Sequence, residues 1–258
     1  LETISFEVKA RTAWITLDRP RQFNSISQQM LEELSGVLDR IESEAEVGAA
    51  VITGRRRFFC AGADVGEISR IDDPVEATKF SRNAQELFGR IERTPKPLVA
   101  AINGPALGGG LELALACDLR VASDRAKLGL PEIKLGIMPG AGGTVRLPRV
   151  VGAGHALDLM LTGEPISAEA AHRIGLVNRL VPADQLETEA QGLAELLASR
   201  PPLALAAIRR SVIEGGSMCS EAAMKLEAEM FGGLFGSDDQ KEGLAAFSEK
   251  RPPRFQGK

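Results

Sequence analysis

At 258 residues the chain can bury a substantial core, arranged as one large domain with a small appendage. A net charge of −4, 4% aromatics, one Trp and no Tyr argue against a nucleic-acid surface or a base-stacking platform. Three cysteines (Cys60, Cys117 and Cys219) are too few for a disulfide framework and read as small core residues in a reducing compartment.

Taken in order, Ile4 to Val8 alternates and Thr12 to Leu17 is apolar enough to pair with it as a hairpin. Ser27 is placed to cap a helix whose apolar face is Met30, Leu31, Leu34, Val37, Leu38 and Ile41. Ala49 to Thr53 and Leu98 to Ile102 read as short buried strands, with a helix from about Val75 to Glu92 between them. A further strand, Leu119 to Ala122, follows a glycine-rich helix. Beyond Val145 the pattern is mostly helical, broken at Gly152, Gly163, Gly175, Pro182, Pro201 and Gly215–Gly216. Alternating strands and helices followed by helices alone predict an α/β layered core with a helical C-terminal part. No stretch approaches a membrane span and no charged-then-apolar leader opens the chain, so the expected location is cytoplasmic. A transit peptide removed before Leu1 remains compatible with this reading.

The chemistry concentrates in Gly104-Pro-Ala-Leu-Gly-Gly-Gly-Leu-Glu-Leu-Ala-Leu-Ala-Cys-Asp118. Glycines let backbone N–H groups approach a ligand closely, and the positive end of the following helix favours negative charge there. Glu112 stands three residues past Gly109, on the same helix face. One turn therefore offers a bare N–H donor beside an acid/base group, although such a turn also serves as a tight packing point. A second carboxylate, Glu132, lies among Leu130, Ile133, Leu135, Ile137 and Met138, company that raises a pKa. Its alternative is a surface Glu paired with Lys127 or Lys134. Pro131 predicts an extended or looped support for it.

Other motifs carry less. Pro139-Gly-Ala-Gly-Gly-Thr144 lacks the last glycine of a dinucleotide fingerprint and follows a Pro instead of a strand. His155 and His172 have no second ligand at metal spacing, and no Gly-x-Ser-x-Gly elbow exists. Arg55-Arg56-Arg57 reads as a solvated loop tip.

Four segments in this order are specific to one family: Leu17-Asp-Arg-Pro-Arg-Gln-Phe-Asn24, Phe59-Cys-Ala-Gly-Ala-Asp64, the glycine-rich segment, and Pro131-Glu132 followed by Pro139 to Thr144. The tail Glu249-Lys-Arg-Pro-Pro-Arg-Phe255 also fits. Nearly end to end, the chain resembles an enoyl-CoA hydratase of the crotonase family.

That resemblance implies a spiral of ββα units and trimers often paired into hexamers. Residues 1–195 would form the core with the site, and 196–258 a helical region for oligomerisation and for covering it. The substrate would be an acyl-CoA thioester, with no metal, nicotinamide or pyridoxal cofactor. The oxyanion hole maps to the N–H groups of Ala63 and Gly109, and the two hydratase glutamates map to Glu112 and Glu132. Family members that only shift double bonds usually keep the second acid and lose the first. Ala61, Asp64, Val65 and Gly66 would flank the thioester. Pro139, Gly140 and Gly142 would border the acyl pocket and support Glu132. Arg21, Phe247 and Lys250 map to positions near the coenzyme's nucleotide, the last two often supplied by a neighbouring subunit. Gly66 replaces a larger residue common in relatives, and Phe23 replaces a small or aliphatic one. The tail and the run Leu111 to Asp118 also resemble methylglutaconyl-CoA hydratases, which implies a branched, acidic acyl group as one alternative. An enoyl-CoA isomerase and a non-catalytic acyl-CoA or RNA binder are the others.

Overall fold

A computed structural model describes residues 1–258. Two strands, β1 (Ile4–Lys9) and β2 (Thr12–Leu17), open the chain as an antiparallel hairpin with Ile4 opposite Leu17. Its two turn residues, Ala10 and Arg11, both have positive φ, the twist a two-residue hairpin needs. Ser27 caps α1 (Gln28–Ser43) by accepting the Met30 N–H, and the six apolar residues of the predicted face are all buried. Next come β3 (Ala49–Gly54), the single turn α2 (Val65–Ile68), α3 (Pro74–Arg93) and β4 (Leu98–Ile102). Asp73 caps α3 through the Glu76 N–H, and Pro74 sits where a helix loses nothing by lacking an N–H.

The central part runs β5 (Ala106–Leu107), α4 (Gly109–Ala116), β6 (Leu119–Ser123), β7 (Lys127–Gly129) and α5 (Gly143–Thr162). It continues through β8 (Ile166–Ser167), α6 (Ala168–Arg173), β9 (Arg179–Val181) and α7 (Leu186–Ala198). Three helices, α8 (Pro202–Gly215), α9 (Ser220–Leu234) and α10 (Asp238–Glu249), end the chain. The region past Val145 is therefore less uniformly helical than its periodicity predicts. β8 and β9 are two and three residues long, too short to show alternation.

Six strands form the main sheet in the order β1-β2-β3-β4-β6-β9, parallel from β2 onward. Both faces are covered, which explains the unbroken apolar runs. Ile15, Leu17, Ala50, Ile52, Leu98, Ala100 and Ile102 face one core with α1, α3 and α4. Trp14, Ala49, Val51, Val99 and Ala101 face the other, under Leu186, Ala190 and Leu193 of α7. So α7 belongs to the sheet, and it straddles the division expected near residue 195. A small sheet of β5, β7 and β8 lies apart. Cys60 and Cys117 are buried, but Cys219 is exposed, because it stands at the N-cap of α9 outside the core.

Arg209 ties α8 to the core. Its guanidinium pairs with Asp118 at 2.6 Å and donates to the carbonyls of Thr94 and Glu92 at the end of α3. Asp118 in turn accepts the Leu98 N–H at 2.7 Å. Arg209→Met leaves this largely buried carboxylate without its cation, and the expected cost is about 3 kcal/mol, read by urea unfolding. Unchanged stability would show that α8 docks by apolar contact alone.

Candidate active site

The first wall is the segment Ala61 to Asp64, held from several directions. Asn24 is fully buried in a left-handed conformation and donates to the carbonyls of Arg55 and Phe58 at 3.0 and 2.8 Å. Arg19 pairs with Asp64 at 2.9 Å and bonds the Ser25 carbonyl. Asp64 also caps α2 through the Gly66 N–H, and these partners hold its carboxyl below the usual range despite burial. Ile26 donates its N–H to the Gly62 carbonyl and accepts the Asp64 N–H, both at 2.8 Å. The motif containing Arg19 is legible in sequence, but its anchoring role is not.

The second wall is the start of α4. Gly108 adopts φ +52°, ψ −129°, and a Cβ there would come within 3.0 Å of Glu132 Oε1. A Cβ on Gly110 would meet the Cys60 carbonyl at 2.3 Å, so the helix is seated directly on the first wall. A Cβ on Gly109 would lie 3.4 Å from Ala63 N. The N–H groups of Ala63 and Gly109 thus stand close together, and neither donates to any acceptor in the chain. Two free donors at the positive end of a helix can hold an oxygen that gains charge.

Two carboxylates share the cavity with them. Glu112 is 2% exposed, and its Oε1 accepts the N–H groups of Ala141 and Gly143 at 2.8 and 2.7 Å. Burial pushes its pKa up, while those two bonds and the Arg146 charge pull it back. Of the extended or looped support that Pro131 predicts, the extended form is absent: Glu132 rides a 3-10 turn, Pro131–Leu135. Burial raises its pKa to about 7, its own N–H opposes the rise and the Glu112 charge adds to it. Its Oε2 is buried without a partner. Lys134 pairs with Glu164, so the surface ion pair is not formed. The apolar residues near Glu132 in sequence do not enclose it. Ile133, Leu135, Ile137 and Met138 are exposed, and only Leu130 is buried. The Gly108 turn packs against this carboxylate, a neighbour no sequence window contains.

The cavity is about 960 Å³ and is lined by Ala61, Ala63, Val65, Gly109, Glu112, Glu132, Pro139, Gly140 and Gly142 among others. α3 supplies the opposite wall with Phe80, Ser81, Gln85 and Phe88. The loop Pro139 to Gly143 directs its N–H donors to Glu112, which corrects the expectation that it supports Glu132. Arg146 bonds the Ala141 carbonyl at 2.8 Å and Glu92 at 2.7 Å, and neither charge belongs to a recognisable motif. Asp64, Gly66, Arg21, Phe247 and Lys250 do not line the cavity, and no residue beyond Arg149 does. Phe247 is 85% exposed on α10. Phe23, left-handed at the end of a short 3-10 turn, packs on Phe58 with ring centroids 4.8 Å apart. Burial pushes the Cys60 and Cys117 thiols up to about 12, so neither is a nucleophile at neutral pH. No group of three metal-capable side chains exists, and no helix is long and apolar enough to cross a membrane.

Comparison with known proteins agrees with this architecture. A probable enoyl-CoA hydratase of Bacillus subtilis is 44% identical over the full length of both chains. A short-chain-enoyl-CoA hydratase of Clostridium acetobutylicum is 39% identical over 97% of this chain and 96% of its own. The crystal structure of an enoyl-CoA hydratase from Bacillus anthracis superposes with a TM-score of 0.94 at 40% identity, covering 99% of this chain and all of that one. The fold is that of the crotonases. With residues 7–258 matching the enoyl-CoA hydratase/isomerase profile, the chain belongs to that family.

Proposed function

We propose that the protein is an enoyl-CoA hydratase, adding water reversibly across the C2=C3 bond of a 2-enoyl-CoA to give a 3-hydroxyacyl-CoA. The observation that carries this reading is the pairing of two carboxylates with two free N–H donors in one cavity. An isomerase needs one acid to move a proton between carbons, whereas water addition uses one group for the water and another for carbon.

The thioester oxygen lies between the N–H groups of Ala63 and Gly109, which act most strongly as enolate charge develops. Glu112, fixed by Ala141 and Gly143, takes the proton of the water attacking C3. Glu132, protonated near neutrality, delivers a proton to C2, and the roles reverse in dehydration. No cofactor enters beyond the coenzyme A of the substrate. The name of the Clostridium relative favours short acyl chains, and acyl-CoA breakdown such as β-oxidation is the proposed setting, in the cytoplasm.

The test is the loss of ultraviolet absorbance of the conjugated thioester of crotonyl-CoA. Rapid loss supports the hydratase. Double-bond migration or proton exchange without hydration would replace it by an isomerase, and turnover of only a branched acidic enoyl-CoA would move the substrate class.

The pH dependence follows from the two acids. Hydration requires Glu132 protonated and Glu112 ionised. Its kcat/KM is expected to fall above about pH 7 as Glu132 ionises, and to fall again in acid as Glu112 is protonated. Dehydration uses the same singly protonated pair with the proton on Glu112 instead, and because the overall reaction exchanges no proton with solvent its kcat/KM is expected to follow the same pH profile. A kcat/KM that stays flat through about pH 7 would contradict this assignment.

Assembly into a trimer or a hexamer is proposed with it. Met224, Phe231, Phe235, Leu244 and Phe247 stand exposed on and beside α9 and α10, more apolar surface than an isolated chain usually presents. In such an assembly Phe247 and Lys250 can approach the nucleotide of a neighbouring subunit's substrate, and Arg21 that of its own. Light scattering in solution is expected to give a mass of three or six chains. A monomer would refute this.

A further inference from the structure

The Gly140 carbonyl has two donors, both from α3. Ser81 Oγ lies 2.6 Å from it and Gln85 Nε2 lies 2.7 Å from it. Gln85 Nε2 is also 3.1 Å from Ser81 Oγ, so the hydroxyl accepts from the amide and donates to the carbonyl. A trans peptide is rigid, and its C=O and N–H point in opposite directions. The N–H across this plane is that of Ala141, and it donates to Glu112 Oε1 at 2.8 Å. The chain of contacts is therefore Ser81 and Gln85, one peptide plane, Glu112.

We propose that Ser81 and Gln85 are positioning residues for Glu112, acting through the Gly140–Ala141 peptide; the proposal rests on the hydratase reading for what Glu112 does. The other bond to Glu112 is set differently. Gly143 N belongs to the Gly142–Gly143 peptide, whose carbonyl accepts Val145 N and Arg146 N in the first turn of α5. That half of the cradle is fixed by helix geometry. The Ala141 half is fixed by side chains of a separate helix, and it is the half that substitution can release. Four residues apart, Ser81 and Gln85 share one face of α3, and that same face lines the cavity. An acyl group seated there lies against the two residues that aim the acid/base group.

The charged groups facing Glu112 are Arg146 from α5, with its partner Glu92 on α3, and Glu132 from the 131–135 turn. None is altered by substitution at 81 or 85. Loss of the Ala141 bond removes a contact that favours the carboxylate, so its protonation midpoint rises.

The experiment compares Ser81→Ala, Gln85→Leu, their double variant, and Ser81→Thr combined with Gln85→Leu. Each single variant retains one donor and is expected to lose no more than about threefold in kcat on crotonyl-CoA. The double variant is expected to lose about 10- to 100-fold, with KM within about twofold. Its acidic limb of kcat/KM moves to higher pH, and the Thr-containing variant, which keeps a hydroxyl, restores both. A second readout needs no turnover: the carbon-13 signal of the Glu112 carboxyl, followed against pH in the free protein, shifts its midpoint upward in the double variant. A lowered kcat with unmoved limb and midpoint would overturn the proposal, leaving only a latch between α3 and the loop. If the double variant does not fold, the midpoints of the single variants decide, and unmoved midpoints overturn it. If the wild-type protein hydrates no enoyl thioester, the hydratase reading fails while the carboxyl titration still decides the positioning.

Discussion

Replacing Glu112 or Glu132 by Gln is expected to lower kcat for hydration by about 10²- to 10⁴-fold, the range for losing a general acid or base. Each amide fits its site without breaking the fold. Gln at position 112 still offers an oxygen to the N–H groups of Ala141 and Gly143, so the loop keeps its anchor. Glu132 Oε2 has no partner to lose. Stability gives Glu132→Gln a second readout. The folded pKa of Glu132, about 7, lies above the value of an exposed Glu, so the stability that its protonated form provides is present below the unfolded pKa. It is lost as pH rises through about 7. An amide never ionises and escapes that loss. Glu132→Gln is therefore expected to match wild type in thermal unfolding at pH 5 and to exceed it at pH 9. Full activity in either variant would remove the assigned roles, and a Tm difference independent of pH would remove the buried-acid explanation.

Much of this site is visible in sequence because glycines mark backbone that must come close. Gly108 and Gly110 each have a separate reason to lack a Cβ, an unusual φ and the Cys60 carbonyl, and the bare Gly109 N–H lies between them. Strands β2, β3, β4 and β6 are equally plain, since a sheet covered on both faces writes continuous apolar runs such as Ala49 to Ile52, whereas β5, β7, β8 and β9 are too short to show. What stayed hidden depends on contacts between distant segments. Ile133, Leu135, Ile137 and Met138 suggest an apolar nest for Glu132, yet they point to solvent or the cavity mouth. The 139–143 loop reads in sequence as a neighbour of Glu132 but serves Glu112, because nothing local tells which of two acids, 20 residues apart, an N–H will face. Ser81, Gln85, Glu92 and Arg146 look like ordinary polar helix residues. Only the packing of α3 against the 139–143 loop gives them partners. Polar side chains that act through a peptide plane leave no spacing rule to find.

Gly109→Pro is expected to cost about 10²- to 10³-fold in kcat, the loss typical of one oxyanion donor. The substitution is unusually clean because of where Gly109 sits. It is the first residue of α4, a position whose N–H makes no intrahelical bond and where proline is well accepted. The residue before it, Gly108, has an extended ψ of −129°, which avoids the clash proline imposes on a preceding helical residue. A Cβ at position 109 meets Ala63 N at 3.4 Å and Ile26 Cδ1 at 3.6 Å, ordinary contact distances. Stability is therefore expected to change by no more than about 1 kcal/mol in urea unfolding. The control is Gly109→Ala, which adds the Cβ but keeps the N–H, and it is expected to retain most of its kcat. If Gly109→Pro hydrates crotonyl-CoA as fast as Gly109→Ala, this N–H does not hold the thioester oxygen, and Ala63 stands alone in that role.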